Sequence, residues 1–181
     1  MDTIICDAQI FAKIAKILIS EKSEILIATA NLVDFEIRLP AKKVLFSDIL
    51  RQRARVDAGV IRIVAADVSR AGAISSIRKV MIKRCPRNHA KMVIADRCAY
   101  FGSANLTDAG AGYRSLTGRN FEVGLYTEDP QKIEFLKKYF FQIWDGERCE
   151  NCAYARKGGR ISCEPENQHY HHSQSAHKRR T

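Results

Sequence analysis

The chain has 181 residues, 46% of them hydrophobic, which supports one globular domain with a small appendage rather than two full domains. The formal net charge of +10 favours an anionic partner, with nucleic acid ahead of an acidic membrane surface, but fixes no chemistry. Six cysteines without an export signal argue for reduced thiols or metal ligands rather than a disulfide scaffold, so we expect a cytoplasmic protein.

The first half of the chain alternates helix and strand patterns. An amphipathic helix is predicted near the beginning, where charged residues interrupt the apolar run and argue against a targeting segment or a membrane span. Its apolar face consists of Ile10, Phe11, Ile14, Ile17 and Leu18. Residues 24–32 predict a strand buried on both faces, and a helix over 47–57 and a strand over 60–67 follow. The arginines of the second helix are predicted to be solvent-exposed, and they are Arg51, Arg53 and Arg55.

The second half predicts a helix over 71–80, three strands over 92–96, 99–105 and 121–129, and a closing helix over 129–144. In the closing helix, apolar side chains recur every fourth residue, which favours core or dimer packing over base stacking. This order of elements predicts an α/β or α+β fold, in which helices flank a mixed β-sheet.

The composition changes near residue 147, so we predict a main domain over 1–147 and a basic tail over 148–181. The tail has four of the five histidines and no leucine, valine, phenylalanine or methionine, so it cannot build an apolar core. Its cysteines and histidines predict either a structural zinc site or a disordered end. The candidate ligands are Cys149, Cys152, Cys163 and His169, with His171 and His172 as alternatives for the fourth position.

Residues 88–105, NHAKMVIADRCAYFGSAN, are the strongest candidate for chemistry. In a strand, His89 and Lys91 point to the same side, and Ser103 and Asn105 share a face of the next strand. Together they offer a nucleophile or proton carrier, a fixed positive charge and two neutral donors, a set that suits a phosphoryl group. The alternative is an ordinary hairpin in which the histidine is a hydrogen-bonded structural residue.

The spacing His-x-Lys-x4-Asp followed by Gly-Ser-x-Asn resembles the signature of the phospholipase D superfamily. The continuation to Asn-x-Glu-Val-Gly at residues 120–124 and the order of elements over 8–145 are also similar to that superfamily. One departure is that five residues separate Asp96 from Gly102, where the family usually has six. The shorter hairpin leaves the register of Ser103 and Asn105 against His89 open.

The resemblance implies that His89 attacks a phosphodiester to form a phosphohistidine, while a second histidine protonates the leaving oxygen. Because the chain has one motif, the resemblance implies a homodimer that brings two motifs into one cleft. It also implies that Glu122 orients the histidine and that catalysis needs no metal. Strand parity turns Asp96 away from His89, which favours a structural role, and Gly102 would let the backbone and a ligand approach closely.

The superfamily includes phospholipases, phosphatidyl transferases and nucleases, so basic residues near the motif guide the choice of substrate. They predict a nucleic-acid surface, which favours an endonuclease over two alternatives, a binding module without turnover and a lipid phosphodiesterase or phosphatidyl transferase. A solvated surface would also account for these charges. The basic residues are Arg78, Lys79, Lys83, Arg84, Arg87, Arg114 and Arg119.

Overall fold

A mixed seven-stranded sheet with helices on both faces forms the body of the protein. The computed structural model describes residues 1–21, 23–38, 42–55, 59–111, 120–150 and 152–154. The strands are β1 (Asp2–Cys6), β2 (Ile25–Val33), β3 (Glu36–Arg38), β4 (Lys43–Leu45), β5 (Ile61–Arg70), β6 (Val80–Arg84), β7 (Met92–Ile94), β8 (Ala99–Gly102) and β9 (Val123–Thr127). The helices are α1 (Ala8–Ser20), α2 (Phe46–Ala54), α3 (Gly72–Ser75) and α4 (Pro130–Trp144), followed by a 3-10 turn at Glu147–Cys149.

The order of strands across the sheet is β1-β9-β8-β7-β2-β5-β6, and β3 pairs with β4 in a separate hairpin. Strands β2, β5 and β6 are parallel, whereas β7, β8, β9 and β1 continue the sheet in antiparallel pairs. The predicted mixed sheet with flanking helices is therefore confirmed.

Two apolar cores lie on opposite faces of the sheet. The alternation along β7 shows the division, since Val93 joins the core under α1 and α2, whereas Met92 and Ile94 join the core under α4. Strand β2 is buried on both faces, as its apolar composition predicts. All five residues of the predicted apolar face of α1 are at most 1% exposed. The closing helix also packs as predicted, with Leu136 and Phe140 in the second core.

The structure corrects the segment predicted as a helix over 71–80. Only α3 is helical there, and the chain then turns at Lys79, whose φ of 67° is unusual for a residue other than glycine. Strand β6 follows, and its basic residues conceal the strand pattern. Arg53 is a second correction, because it is only 4% exposed and donates to the backbone carbonyl of Ser23.

Candidate active site

The motif residues meet where β7 and β9 begin and β8 ends, along the border of the sheet that is formed by strand ends. We call this border the site edge. Because these strands are antiparallel neighbours, the residues just outside their ends lie side by side. The backbone NH of Gly102 donates to the carbonyl of Lys91 at 3.0 Å, so the register places Ser103 beside the segment that carries His89. The hairpin closes through Ala95, whose NH donates to the Cys98 carbonyl at 2.9 Å. The shorter connection therefore keeps the two halves of the motif together.

His89 and Lys91 form a close pair at this edge. The Lys91 Nζ atom lies 3.0 Å from Nδ1 and 3.2 Å from Nε2 of the exposed His89 ring, and it donates to the His89 carbonyl at 2.8 Å. Which of the two ring nitrogens takes part in a hydrogen bond with Lys91 depends on the tautomer of the ring. Burial lowers the pKa of Lys91, while the negative charge of Glu122 acts in the opposite direction.

Glu122 and Ser103 form the second pair of the site. The Ser103 hydroxyl donates to the Glu122 carboxylate and accepts from the Val123 NH at 3.0 Å. Asn120 Nδ2 donates to the other carboxylate oxygen at 3.1 Å, and Glu122 is only 8% exposed. Within the described part of the chain, no hydrogen bond joins Glu122 to His89. The Glu122 carboxylate therefore holds Ser103 directly. It acts on the pair of His89 and Lys91 electrostatically, because its negative charge raises the pKa of Lys91.

The position of Glu122 is fixed by the turn between β1 and α1. Asp7 Oδ1 accepts from the Glu122 NH at 3.0 Å, and the Asp7 NH donates to the Glu122 carbonyl at 3.0 Å. Asp7 has a φ of 47°, a left-handed conformation that is uncommon for aspartate and is held by this double contact. The sequence offers no local signal for this role, because 115 residues separate the two partners.

Two asparagines attach the motif to the parallel strands. Asn105 Oδ1 accepts from the Ala30 NH at 3.2 Å, which leaves its NH2 group to donate elsewhere. Asn88 is 4% exposed, and its Nδ2 donates to the carbonyls of Thr29 at 2.8 Å and Val64 at 3.2 Å. The sequence did not identify Asn88 as a site residue, although it directly precedes His89.

Asp96 and Gly102 have structural surroundings. Asp96 lies at the far end of β7 from His89, where its carboxylate pairs with Lys137 Nζ of α4 at 2.6 Å, and this contact lowers the pKa of Asp96. A Cβ atom on Gly102 would lie 2.5 Å from the Val123 carbonyl oxygen and 2.6 Å from Gly124 Cα. The close approach that requires this glycine is therefore made by strand β9, whereas the sequence suggested a ligand.

The residues of the predicted nucleic-acid surface lie in different parts of the fold. Arg78 and Lys79 precede β6, so the whole strand, about 16 Å long, separates them from the edge that holds His89. Lys83 does not fit the predicted role, because it is 9% exposed and donates to the Trp144 carbonyl at 2.5 Å. Arg84 and Arg87 are exposed at the correct end of β6.

Several predicted residues lie outside the described ranges, namely Arg114, Arg119, Cys163 and His169. Cys149 and the buried Cys152 lie against the body of the protein, where they line a pocket together with Cys85. Among the described residues, no group of three or more histidine, cysteine or acidic side chains is arranged to hold a metal ion. The zinc site therefore stays a prediction. None of the described helices has the length and apolarity to cross a membrane.

Comparison with known proteins shows the family. The model of the family described as cardiolipin synthase, PLD-like domain, matches residues 14–144, which is more than half of the chain. No curated protein matches.

Several solved structures share the fold. NucT from Helicobacter pylori matches with a TM-score of 0.59 at 16% identity, over 78% of this chain and 94% of that one. Nuc from Salmonella typhimurium, a phospholipase D family member, has a TM-score of 0.56 at 16% identity, over 80% and 95% of the two chains. Phosphatidylserine synthase from Haemophilus influenzae reaches 0.59 at 8% identity, over 78% of this chain but only 36% of its own length. Because these identities are low, the structural similarities show only that the fold is shared. Through the family model and this fold, the protein belongs to the phospholipase D superfamily, whose members are generally phosphodiesterases.

Proposed function

We propose that this protein is a metal-independent endonuclease that cleaves nucleic-acid phosphodiester bonds through a phosphohistidine formed on His89. Support comes from the contact between the Lys91 ammonium and the exposed His89 ring, at the same sheet edge as Ser103 and Asn105. An exposed imidazole can attack phosphorus, and the ammonium group beside it can hold the anionic phosphate in place.

The reaction has two displacement steps. First, the His89 lone pair attacks phosphorus, a P–N bond forms, the P–O bond to the leaving group breaks, and a second histidine gives its proton to the leaving oxygen. Next, water attacks the phosphohistidine and transfers a proton to that second histidine, while the P–N bond breaks. His89 is then free, and the products are an alcohol and a phosphate monoester.

The other motif residues hold the phosphate and the machinery around it. The Lys91 ammonium and the Asn105 NH2 group can donate to the non-bridging phosphate oxygens, where charge develops in the transition state. Because the Ser103 hydroxyl donates to Glu122, its proton is already committed. Ser103 and Glu122 therefore act as positioning residues that fix the ends of β8 and β9.

The second histidine comes from a second copy of the chain. Among the described residues His89 is the only histidine, and one motif supplies half of the required pair. Exposed apolar side chains flank Glu122, since Phe121 is 88% and Val123 is 53% exposed, and Ile4 on the neighbouring strand β1 is 74% exposed. Apolar groups grouped at a site edge are typical of a surface that another protein covers. A second copy docked there would place its own His89 in the same cleft.

Nucleic acid is the preferred substrate because the chain is strongly basic and exposed Arg84 and Arg87 lead into His89. One structural neighbour, the archaeal chromatin protein TrmBL2, is described by its mode of DNA binding. It has a TM-score of 0.55 at 19% identity, over 80% of this chain and 52% of its own.

The direct test is cleavage of labelled single- and double-stranded DNA and RNA in excess EDTA. We expect cleavage by the wild type and none by His89→Ala, with circular dichroism to check that the variant is folded. Cleavage that persists in the variant would exclude His89 as the nucleophile.

The two-histidine scheme has its own test. Refolding equal amounts of wild type and His89→Ala together gives about a quarter of dimers with both histidines, so activity falls to about a quarter of that of pure wild type. A value near one half would show that each chain acts alone.

A lipid phosphodiesterase or phosphatidyl transferase is the second candidate. It is favoured by the description of the matching family as cardiolipin synthase and by the fold shared with phosphatidylserine synthase. Release of headgroup from phospholipid vesicles, without cleavage of any nucleic acid, would support this candidate. Salt-dependent DNA binding without turnover would instead identify a binding module.

A further inference from the structure

A pocket of about 110 Å³ lies directly beside His89. Its walls come from the segment before β7 and from the C-terminal end of α4 with the turn that follows. His89 and Arg87 stand on one side, Tyr139 and Arg148 on the other, and the small side chains of Cys85 and Cys149 line the space between them. A group covalently joined to a phosphate at His89 would therefore lie close to this pocket.

The pocket is basic and its polar walls are held in place. Two arginines and one histidine line it, and no described carboxylate does. Arg87 Nη1 donates to the Arg148 carbonyl at 3.4 Å, and the Arg148 guanidinium lies 4.7 Å from the centre of the Tyr139 ring. Arg148 is also fixed by two hydrogen bonds to Gln142 Oε1, at 3.2 and 2.7 Å. A planar cation with one face on an aromatic ring offers its edge and other face to a flat ligand.

We infer that this pocket takes an unpaired pyrimidine base of the nucleotide whose phosphate His89 attacks, an assignment that rests on the proposed nuclease function. A cavity of roughly 150 Å³ holds one benzene ring. A space of about 110 Å³ that opens to solvent therefore suits a single six-membered ring better than the fused rings of a purine.

The polar groups of the pocket agree with this assignment. Cytosine, uracil and thymine all carry a carbonyl oxygen next to the nitrogen that bears the sugar. A guanidinium has five N–H donors, and only two of those of Arg148 are used by Gln142. Its remaining donors suit that carbonyl in all three bases, so we expect no strong choice among them. A base in this pocket has left its stack, which favours single-stranded substrates.

The test compares oligonucleotides that differ only in the base beside one cleavable phosphate. We expect the wild type to cleave next to cytosine or uracil about tenfold faster, in kcat/KM, than next to adenine or guanine. Cys149→Leu partly fills the pocket and should bring this ratio close to one. Lys138→Leu adds the same side chain at an exposed position of α4 and should keep the ratio. Because both substrates are measured with the same protein, partial unfolding lowers both rates and leaves the ratio unchanged.

A binding arm separates this inference from the proposed function. The wild type, with its pocket intact, is titrated with cytidine, uridine, adenosine and guanosine monophosphates, which contain no diester to cleave, and is assayed on bis(4-nitrophenyl) phosphate, which has no base. If the wild type hydrolyses that ester but cleaves beside all four bases at equal rates and binds all four nucleotides equally, the pocket assignment is overturned. The proposed phosphodiesterase activity is then retained. Tighter binding of the pyrimidine nucleotides without any hydrolysis retains the pocket and overturns the nuclease.

Discussion

Lys91 differs from an ordinary surface lysine in its position and its protonation. Its Nζ atom contacts the ring and the carbonyl of His89, and burial lowers its pKa. A lysine in this state loses its charge at a lower pH than a solvated lysine does. The charge that holds a phosphate at His89 therefore disappears at a pH below about 10.5.

Lys91→Arg tests this protonation. In the wild type, kcat/KM should fall on the alkaline side before the pH at which an ordinary lysine deprotonates. Arginine stays protonated throughout that range, so the variant should be slower overall but should show no loss at the same pH. The measurement is a pH profile of kcat/KM. As a control, circular dichroism should show that both proteins stay folded over the whole pH range. An identical alkaline limb in both proteins would assign the titration to another group.

Asp96 belongs to the same motif but contributes through stability. Its pairing with Lys137 lowers its pKa, so the contribution is present above about pH 3.9 and is lost as the pH falls below that value. Because the pair is partly exposed, Asp96→Asn should lower the free energy of unfolding by about 0.2–1 kcal/mol at pH 7. Urea unfolding at pH 7 and pH 3 measures the difference, which should be smaller at pH 3 because part of the Asp96 contribution is lost there. Lys138→Ala, beside Lys137 on α4, is the control and should leave the free energy of unfolding unchanged at both pH values.

At the scale of elements, the sequence pattern was sufficient to predict a helix or strand where one apolar face or run dominates. This holds for α1, β2, β5 and α4. It was insufficient for β6, whose three apolar residues are followed by Lys83 and Arg84, and for the edge strand β1, whose burial is confined to Ile5. The motif identified His89 and its neighbours from local spacing. Asp7 was missed because its role arises from contacts that only the folded sheet creates.

Gly102→Ala tests the contact between β8 and β9. The added Cβ would collide with backbone atoms of β9, which cannot rotate away, so the strands must separate. We expect a loss of about 1–3 kcal/mol in the free energy of unfolding, and a fall in kcat because the Ser103–Glu122 contact spans the same strands. Gly72→Ala is the matched control, since nothing lies within 4 Å of the new atom, and it should be neutral or stabilise slightly. Equal stability of the two variants, by thermal and chemical unfolding, would contradict the close approach.

At the scale of the whole molecule, the exposed apolar residues around Glu122 define the proposed dimer surface. Phe121→Arg places a charge in this surface without touching His89, so we expect a monomer by light scattering and a loss of cleavage of at least tenfold. Ile19 of α1 is also apolar and 51% exposed, but it belongs to a helix on the opposite face of the sheet. Ile19→Arg is therefore the control and should keep the mass and rate of the wild type. A monomeric Phe121→Arg protein with full activity would refute the shared cleft.

The double contact between Asp7 and Glu122 has a consequence for how the protein folds. It joins the turn after β1 to the start of β9, and β1 hydrogen-bonds only to β9 in the sheet of described residues. Contacts between residues so far apart in sequence close a long loop, which carries a larger entropic cost and slows folding. The carboxylate of the site is therefore set late, after both ends of the domain have docked. During refolding, recovery of enzymatic activity should lag behind the packing of α1 against α2.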